Sequence, residues 1–469
     1  MPFSGHIKGN IKRKDLNMKS CIEHAKEEWR GSSLVHRLFL VPTFVLLFLI
    51  PLCYFHFGTV SASELVRFEN PSYLVIRSNF PVNFIRTVFN LNNFEMGQYR
   101  PRLLSFIVTV IDTNIWYLIA RQFKGFIPFL PLTVPFLYLN FAVISRGIRR
   151  IMPGVHRYTA MFLSAAITFS QSFMCSVYYR TRSSKPLIIP VTIMLLFWLY
   201  NKKEKESIFL FFFFTLLCTL DEMVLTLFLL MSAVEFAHVC SARKISRKFI
   251  IIFLTLIMYL IYYKAVGPAV FGHFTSEITE HGHVKNMLSG SMYFLWGILL
   301  YLESWSFFLS VFYISHTYWA MFLKMLFGLA LMVFVFIRMM KQSKGAYGKA
   351  AAIYFFLYPL VLSCVIVEAH NPVFANPALN ISLYTVQISV FVMGMIMWVS
   401  GPKIRKVLIA LFLISSVISF IQQPLYHSLL TPGNPVNTSS KYQIMDKAVI
   451  HIDGDEVTVS LEPNTLEAS

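Results

Sequence analysis

Long apolar runs separated by short clusters of Lys and Arg dominate this chain. The first spans Leu38 to Phe55. Others cover Leu103 to Ile119, Phe126 to Ser145, the stretches on both sides of Asp221-Glu222, Phe249 to Val266, two runs between 288 and 338, and Val407 to Ile421. A helix needs about 20 apolar residues to cross a bilayer, so the pattern predicts an all-α integral membrane protein. The expected architecture is a polytopic helical bundle of about 10–12 spans or partial spans, with a long first external loop. Residues 1–37 form a basic tail and 38–421 the transmembrane domain, in which 57–125 is the first external loop with a membrane-associated helix. Residues 422–469 form a tail of a different kind. There Ala448 to Leu461 alternates around Asp453-Gly454, which predicts a short β-hairpin on the external side.

The cations orient the spans. Residues 1–37 carry eight Lys or Arg, so this tail is expected in the cytoplasm and the first span exits to the far side. The run Leu103 to Ile119 holds Asp112, Thr113 and Asn114 in its middle. It either crosses or lies at the outer interface, and the second version puts Arg146, Arg149, Arg150 and Arg157 in the cytoplasm. The clusters then alternate: Tyr178 to Lys185 outside, Asn201 to Glu206 inside, Asp221-Glu222 outside, Ser241 to Lys248 inside. The loop with His273, His281 and His283 is external, as is Glu368 to Asn380, while Arg338 to Lys349 and Lys403 to Lys406 are cytoplasmic. Between 288 and 338 one crossing satisfies parity, and Glu303 marks the first run as a partial or re-entrant segment. The C-terminus is then external, in a bacterial inner membrane or an ER membrane. Asn437-Thr438-Ser439 matches a glycosylation sequon on that side.

Composition agrees. Hydrophobic residues make up 56% of the 469 and charged residues 14%, against about 25% charged in a soluble domain. Mean hydropathy is +0.61. The net charge of +18 does not signal nucleic acid, because the cations sit between apolar spans rather than on one soluble face. The six Cys form no CxxC pair, so neither a metal site nor a disulfide framework is indicated. The first apolar run starts too far in for a cleaved signal peptide.

Charged groups at membrane depth are costly and point to function. Four places qualify, all on the external side of this topology. The first loop holds Glu64, Glu69, Arg77, Arg86 and Tyr99-Arg100-Pro101-Arg102. The others are Tyr178 to Lys185, with Arg180 and Arg182; Asp221-Glu222; and Glu368-Ala-His-Asn-Pro372. Arg holds phosphate bidentately and a carboxylate serves as general base, so the set suits a phosphate-bearing substrate near the headgroups. Plainer readings stand beside this one: snorkelling for the cations, solvated loop positions for Glu64 and Glu69, and helix capping for Asp221-Glu222. His281 and His283 lack a third ligand.

In order, these elements resemble the GT-C class of multi-spanning glycosyltransferases, closest to the transmembrane-and-TPR and protein O-mannosyltransferase-like branch, without the TPR repeats. Tyr99-Arg-Pro-Arg-Leu-Leu-Ser105 is similar to the segment that ends the first external loop there, with two extra residues before the Ser. Thr181 to Lys185 stands at the place of a Gly-Arg-Ala-Asp-like turn and lacks the acidic residue. Leu216 to Glu222 resembles an ending in Ser-Lys-Glu, with Asp in place of Lys. Phe68-Glu69-Asn70 best matches the acidic pair of the loop. The resemblance covers roughly residues 38 to 240.

It implies catalysis by Glu69, with Glu64 as the alternative, and a polyprenyl- or dolichyl-phosphate sugar donor. Arg100, Arg102, Arg180, Arg182 and Lys185 would bind it, and Asp221 and Glu222 would shape the site. The acceptor would be a glycan, lipid or protein. No cofactor is indicated by the residues, and a divalent metal ion is the one candidate left open. Two other classes compete: a transporter or flippase for an anionic lipid or glycan, and a non-catalytic membrane subunit.

Single-cysteine reporters near Glu69, Arg102, Arg182 and Glu222 are expected to label from outside sealed cells, and one near Arg149 only after permeabilisation. Arg102 and Glu222 reporters on opposite sides would remove any common site.

Overall fold

The computed structural model describes residues 29–49, 102–123, 131–169 except 153, 184–200, 206–266, 318–370, 382–414 except 412, 446–453 and 456–463, with isolated positions within 23–27, 81–84, 269 and 297–305. The described chain is mostly helical. Two short helices, α1 (Leu34–Leu38) and α2 (Leu40–Phe44), continue into a π-helical turn, Val45–Leu49. Then come α3 (Leu103–Phe123), α4 (Thr133–Ile151), α5 (Arg157–Thr168), a 3-10 turn at Lys185–Leu187, α6 (Ile188–Tyr200) and α7 (Leu210–Cys218). Next are α8 (Glu222–Ala242) and α9 (Arg247–Ile261), the latter extended by a π-helical turn at Tyr262–Val266. The last are α10 (Tyr318–Gln342), α11 (Gly345–His370) and α12 (Ser382–Val399), after which 402–411 is helical.

Local chemistry sets several boundaries. Helix α4 begins at Thr133 after a turn in which the Pro131 carbonyl accepts from the Val134 amide, and Pro135 falls in its first turn, where a missing N–H costs nothing. Ser246 caps α9 by accepting from the Phe249 amide at 3.0 Å. Arg243, in the left-handed region with φ 51°, ends α8. Pro359 lies inside α11, where its ring removes one helical hydrogen bond.

Three described helices are long and apolar enough to cross a membrane: Met223–Ala242, Arg247–Val266 and Met325–Gln342. Shorter apolar helices cover Leu34–Phe48, Leu103–Ile115, Ile188–Leu199 and Gly348–Val361. Helix α8 packs on α6, α7, α9 and α11 and buries Val224, Leu227, Phe228, Met231 and Val234, while Leu229 and Phe236 are exposed. Outside this core the apolar surface is extensive. Phe209 is 70% exposed and Leu323 63%, and α7, α9 and α10 present further Phe, Leu and Ile side chains. Water penalises so large an apolar surface; hydrocarbon does not.

The basic clusters gather at one end of the bundle. His36 stacks on His156 with ring centroids 4.1 Å apart, and Trp29 meets Tyr158. Arg150 lies over the Phe197 ring, and Lys248 donates to the carbonyls of Trp198 and Leu199, at 3.0 and 2.6 Å. The N-terminal tail, the end of α4, the end of α6 and the start of α9 therefore share this basic end. Because α4, α6 and α8 all run toward it, their N-termini lie at the other.

Strands β1 (Asp446–Asp453) and β2 (Glu456–Pro463) form an antiparallel pair. The register opposes Ala448 to Leu461, Ile450 to Val459 and Ile452 to Val457. Of the partial segment expected between 288 and 318, only a few positions are described; Glu303 and the His273, His281 and His283 loop lie outside the described residues.

Tyr301 and Trp305 are buried, and the Tyr301 hydroxyl donates to the Phe356 carbonyl of α11 at 2.9 Å. Helix α10 passes this segment at Gly328, where an added Cβ would fall on the Leu302 carbonyl oxygen. Backbone cannot yield as a side-chain tip does. Gly328→Val is therefore expected to destabilise the detergent-solubilised protein by about 1–3 kcal/mol, lowering its thermal midpoint. Gly394→Ala, where a Cβ meets nothing within 4 Å, is expected to leave it nearly unchanged.

Candidate functional site

At the end opposite the basic clusters, the first half of α3 is fastened to the starts of three other helices. The Leu104 amide, one of the donors a helix start leaves without an internal partner, donates to Thr219 Oγ1 at 3.1 Å, just before α8. Ser105 and Ser184 share a buried hydroxyl–hydroxyl bond of 2.6 Å, just before the 3-10 turn that leads into α6. Asp112 Oδ1 accepts from the Leu132 amide at 2.8 Å, at the start of α4. Asn140 of α4 adds a cross-link, donating to the Pro186 carbonyl at 2.7 Å. Within the apolar run 103–119, Ser105 and Asp112 are thus attachment points, while Thr109 and Asn114 donate to carbonyls of α3 itself.

The charged centre of this seam is Arg102 with Asp221. Both are almost fully buried, and Nε lies 4.0 Å from Oδ2. Asp221 is extended and caps α8: its Oδ1 accepts from the Met223 amide at 3.1 Å. Its two oxygens thus serve different partners, one the helix N-terminus and the other the guanidinium. Buried Tyr358 of α11 reaches the same helix start, with its hydroxyl 3.4 Å from the Met223 carbonyl.

Of the residues singled out from sequence, Arg102 and Asp221 are brought together although 119 positions apart. Lys185 opens the 3-10 turn next to Ser184, and Glu222 is the first residue of α8, beside Asp221. The ends of the first loop, of the 178–185 cluster and of the 216–222 segment therefore lie along one seam. Glu64, Glu69, Arg100, Arg180 and Arg182 lie outside the described residues, and Glu368 falls within α11.

Sequence reasoning placed Ser105, Ser184 and Thr219 inside motif segments without giving them a role, and did not single out Asn140 or Tyr358. The signal for Asn140 and Ser105 was available as polar side chains inside apolar runs. Among the described residues, no group of three or more His, Cys, Asp or Glu side chains is placed to hold a metal ion. Compared with known proteins, the chain matches no family model, no curated protein and no solved structure.

The fully buried carboxylate of Asp112 holds a backbone donor that has no alternative in an apolar surrounding. Asp112→Ala is expected to cost about 1–3 kcal/mol, read as a lower thermal midpoint in detergent. Asp112→Asn keeps an acceptor oxygen and is expected to cost less.

Proposed function

We propose that this protein is a membrane glycosyltransferase that moves a sugar from a polyprenyl- or dolichyl-phosphate-linked donor to an acceptor on the non-cytoplasmic face. The observation that carries the reading is the meeting of Arg102, Ser105, Ser184, Thr219 and Asp221 in one buried seam. Three sequence segments that resemble GT-C elements supply these residues, in the order the class has them. In this reading the basic end is cytoplasmic and the seam is external, the bundle has about 10–12 spans or partial spans, and the hairpin tail lies outside with the C-terminus. Helix α3 then lies along the outer ends of α4, α6 and α8, as a membrane-associated part of the first loop.

The chemistry divides by residue. Glu69 is the base that takes the acceptor hydroxyl proton as the sugar leaves the phosphate, with Glu64 in reserve. Arg100, Arg180, Arg182 and Lys185 compensate phosphate charge. Glu is one methylene longer than the usual Asp of the class, so the loop must hold it back by that length for attack geometry to survive. Asp221 and Glu222 shape the site from the start of α8.

A second reading is favoured by one feature: the charge of Arg102 is already met by Asp221. A non-catalytic membrane subunit would use that pair only to hold its helices together. Purified protein in lipid vesicles, given radiolabelled polyprenyl-phosphate sugars and an acceptor pool, separates the two. Transfer by wild type and a loss of about 10²–10⁴-fold in Glu69→Gln, with unchanged elution volume, are expected of the enzyme. Transfer that survives both Glu69→Gln and Glu64→Gln would sink the catalytic assignment.

A further inference from the structure

We infer that Arg102 and Asp221 are a positioning pair that fixes the first turn of α3 on the start of α8, and that Arg102 is not among the cations that meet the donor phosphate. This rests on the glycosyl-transfer reading, which it refines.

Arg102 is 4% exposed and its guanidinium lies beside Asp221. A phosphate binding to Arg102 would have to enter a buried seam and place a second anion beside the Asp221 carboxylate, and bringing further charge into such a site is costly. Asp221 is in turn held by the α8 N-terminus through the Met223 amide. The pair adds an ionic contact to the bonds that the Leu104 amide, Ser105 and Asp112 make. Arg102 immediately precedes α3, and its carbonyl accepts the first helical bond, from Phe106, at 3.0 Å. Tying its side chain to α8 therefore sets where α3 begins, and with it the approach of the chain that carries Arg100 two residues upstream. Lys185 opens the short turn next to Ser184, which Ser105 holds, so its backbone reaches the same seam.

Hydrogen exchange of the full-length protein in detergent tests the pair without any substrate. Asp221→Asn keeps the α8 cap and removes the charge, so amides 103–106 are expected to exchange at least about tenfold faster, while those of α9 stay as in wild type. Arg102→Lys is expected to keep most of the protection. If Asp221→Asn does not yield folded protein, Arg102→Gln is expected to produce the same local loss. Exchange at 103–106 within twofold of wild type in whichever variant folds would overturn the pair's role.

Transfer assays then test the phosphate assignment. Lys185→Gln is expected to raise the KM for the polyprenyl-phosphate sugar about tenfold or more, and Arg102→Lys to leave it within about threefold. The reverse order of KM effects would return phosphate binding to Arg102 and overturn the inference. Faster exchange at 103–106 with no glycosyl transfer by wild type would instead leave the pair standing and remove the proposed reaction alone.

Discussion

A guanidinium and a carboxylate withdrawn from water together, Arg102 and Asp221, set the terms for the surrounding helices. Desolvating either ion alone costs several kcal/mol, so neither can be buried unless α3 and α8 arrive at the same place. Asp221 also caps α8, and the Tyr358 hydroxyl of α11 reaches the Met223 carbonyl beside it. Three helices distant in sequence are thereby committed to one arrangement. Neutral fastenings add to it, through Thr219, Ser184 and the Leu132 amide, each meeting a donor or hydroxyl that an apolar environment would otherwise leave unsatisfied.

The apolar exterior follows the same logic from the other direction. With water absent around α7, α9 and α10, burial of hydrocarbon no longer drives their association, so close packing and polar contacts must specify it. Gly328 against the Leu302 carbonyl and Tyr301 bonded to the Phe356 carbonyl are such contacts. Polar specification is concentrated at the two ends: cations, stacked histidines and helix C-termini at one, a buried seam of helix N-termini at the other. An asymmetric bundle of this kind can present a chemically distinct surface on each side of a membrane. That is what an enzyme taking a phosphate-linked sugar on one face requires.

Much of the helical layout was legible in sequence because each signal is local. Twenty apolar residues in a row and a Ser that starts α9 act within a few positions. Asp221 was read as either a cap or a functional group, and it caps α8 while facing Arg102, since two carboxylate oxygens can serve two partners.

The sequence by itself determined that this is a chain of apolar helices with basic ends, since hydropathy and charge are additive along a segment. Only the tertiary structure decided that Arg102 meets Asp221, that Ser105 meets Ser184, and that Asp112 holds the start of α4. Those partners lie 119, 79 and 20 positions apart. Such pairings depend on how helices cross, and a buried charge specifies that it must have a partner without specifying which.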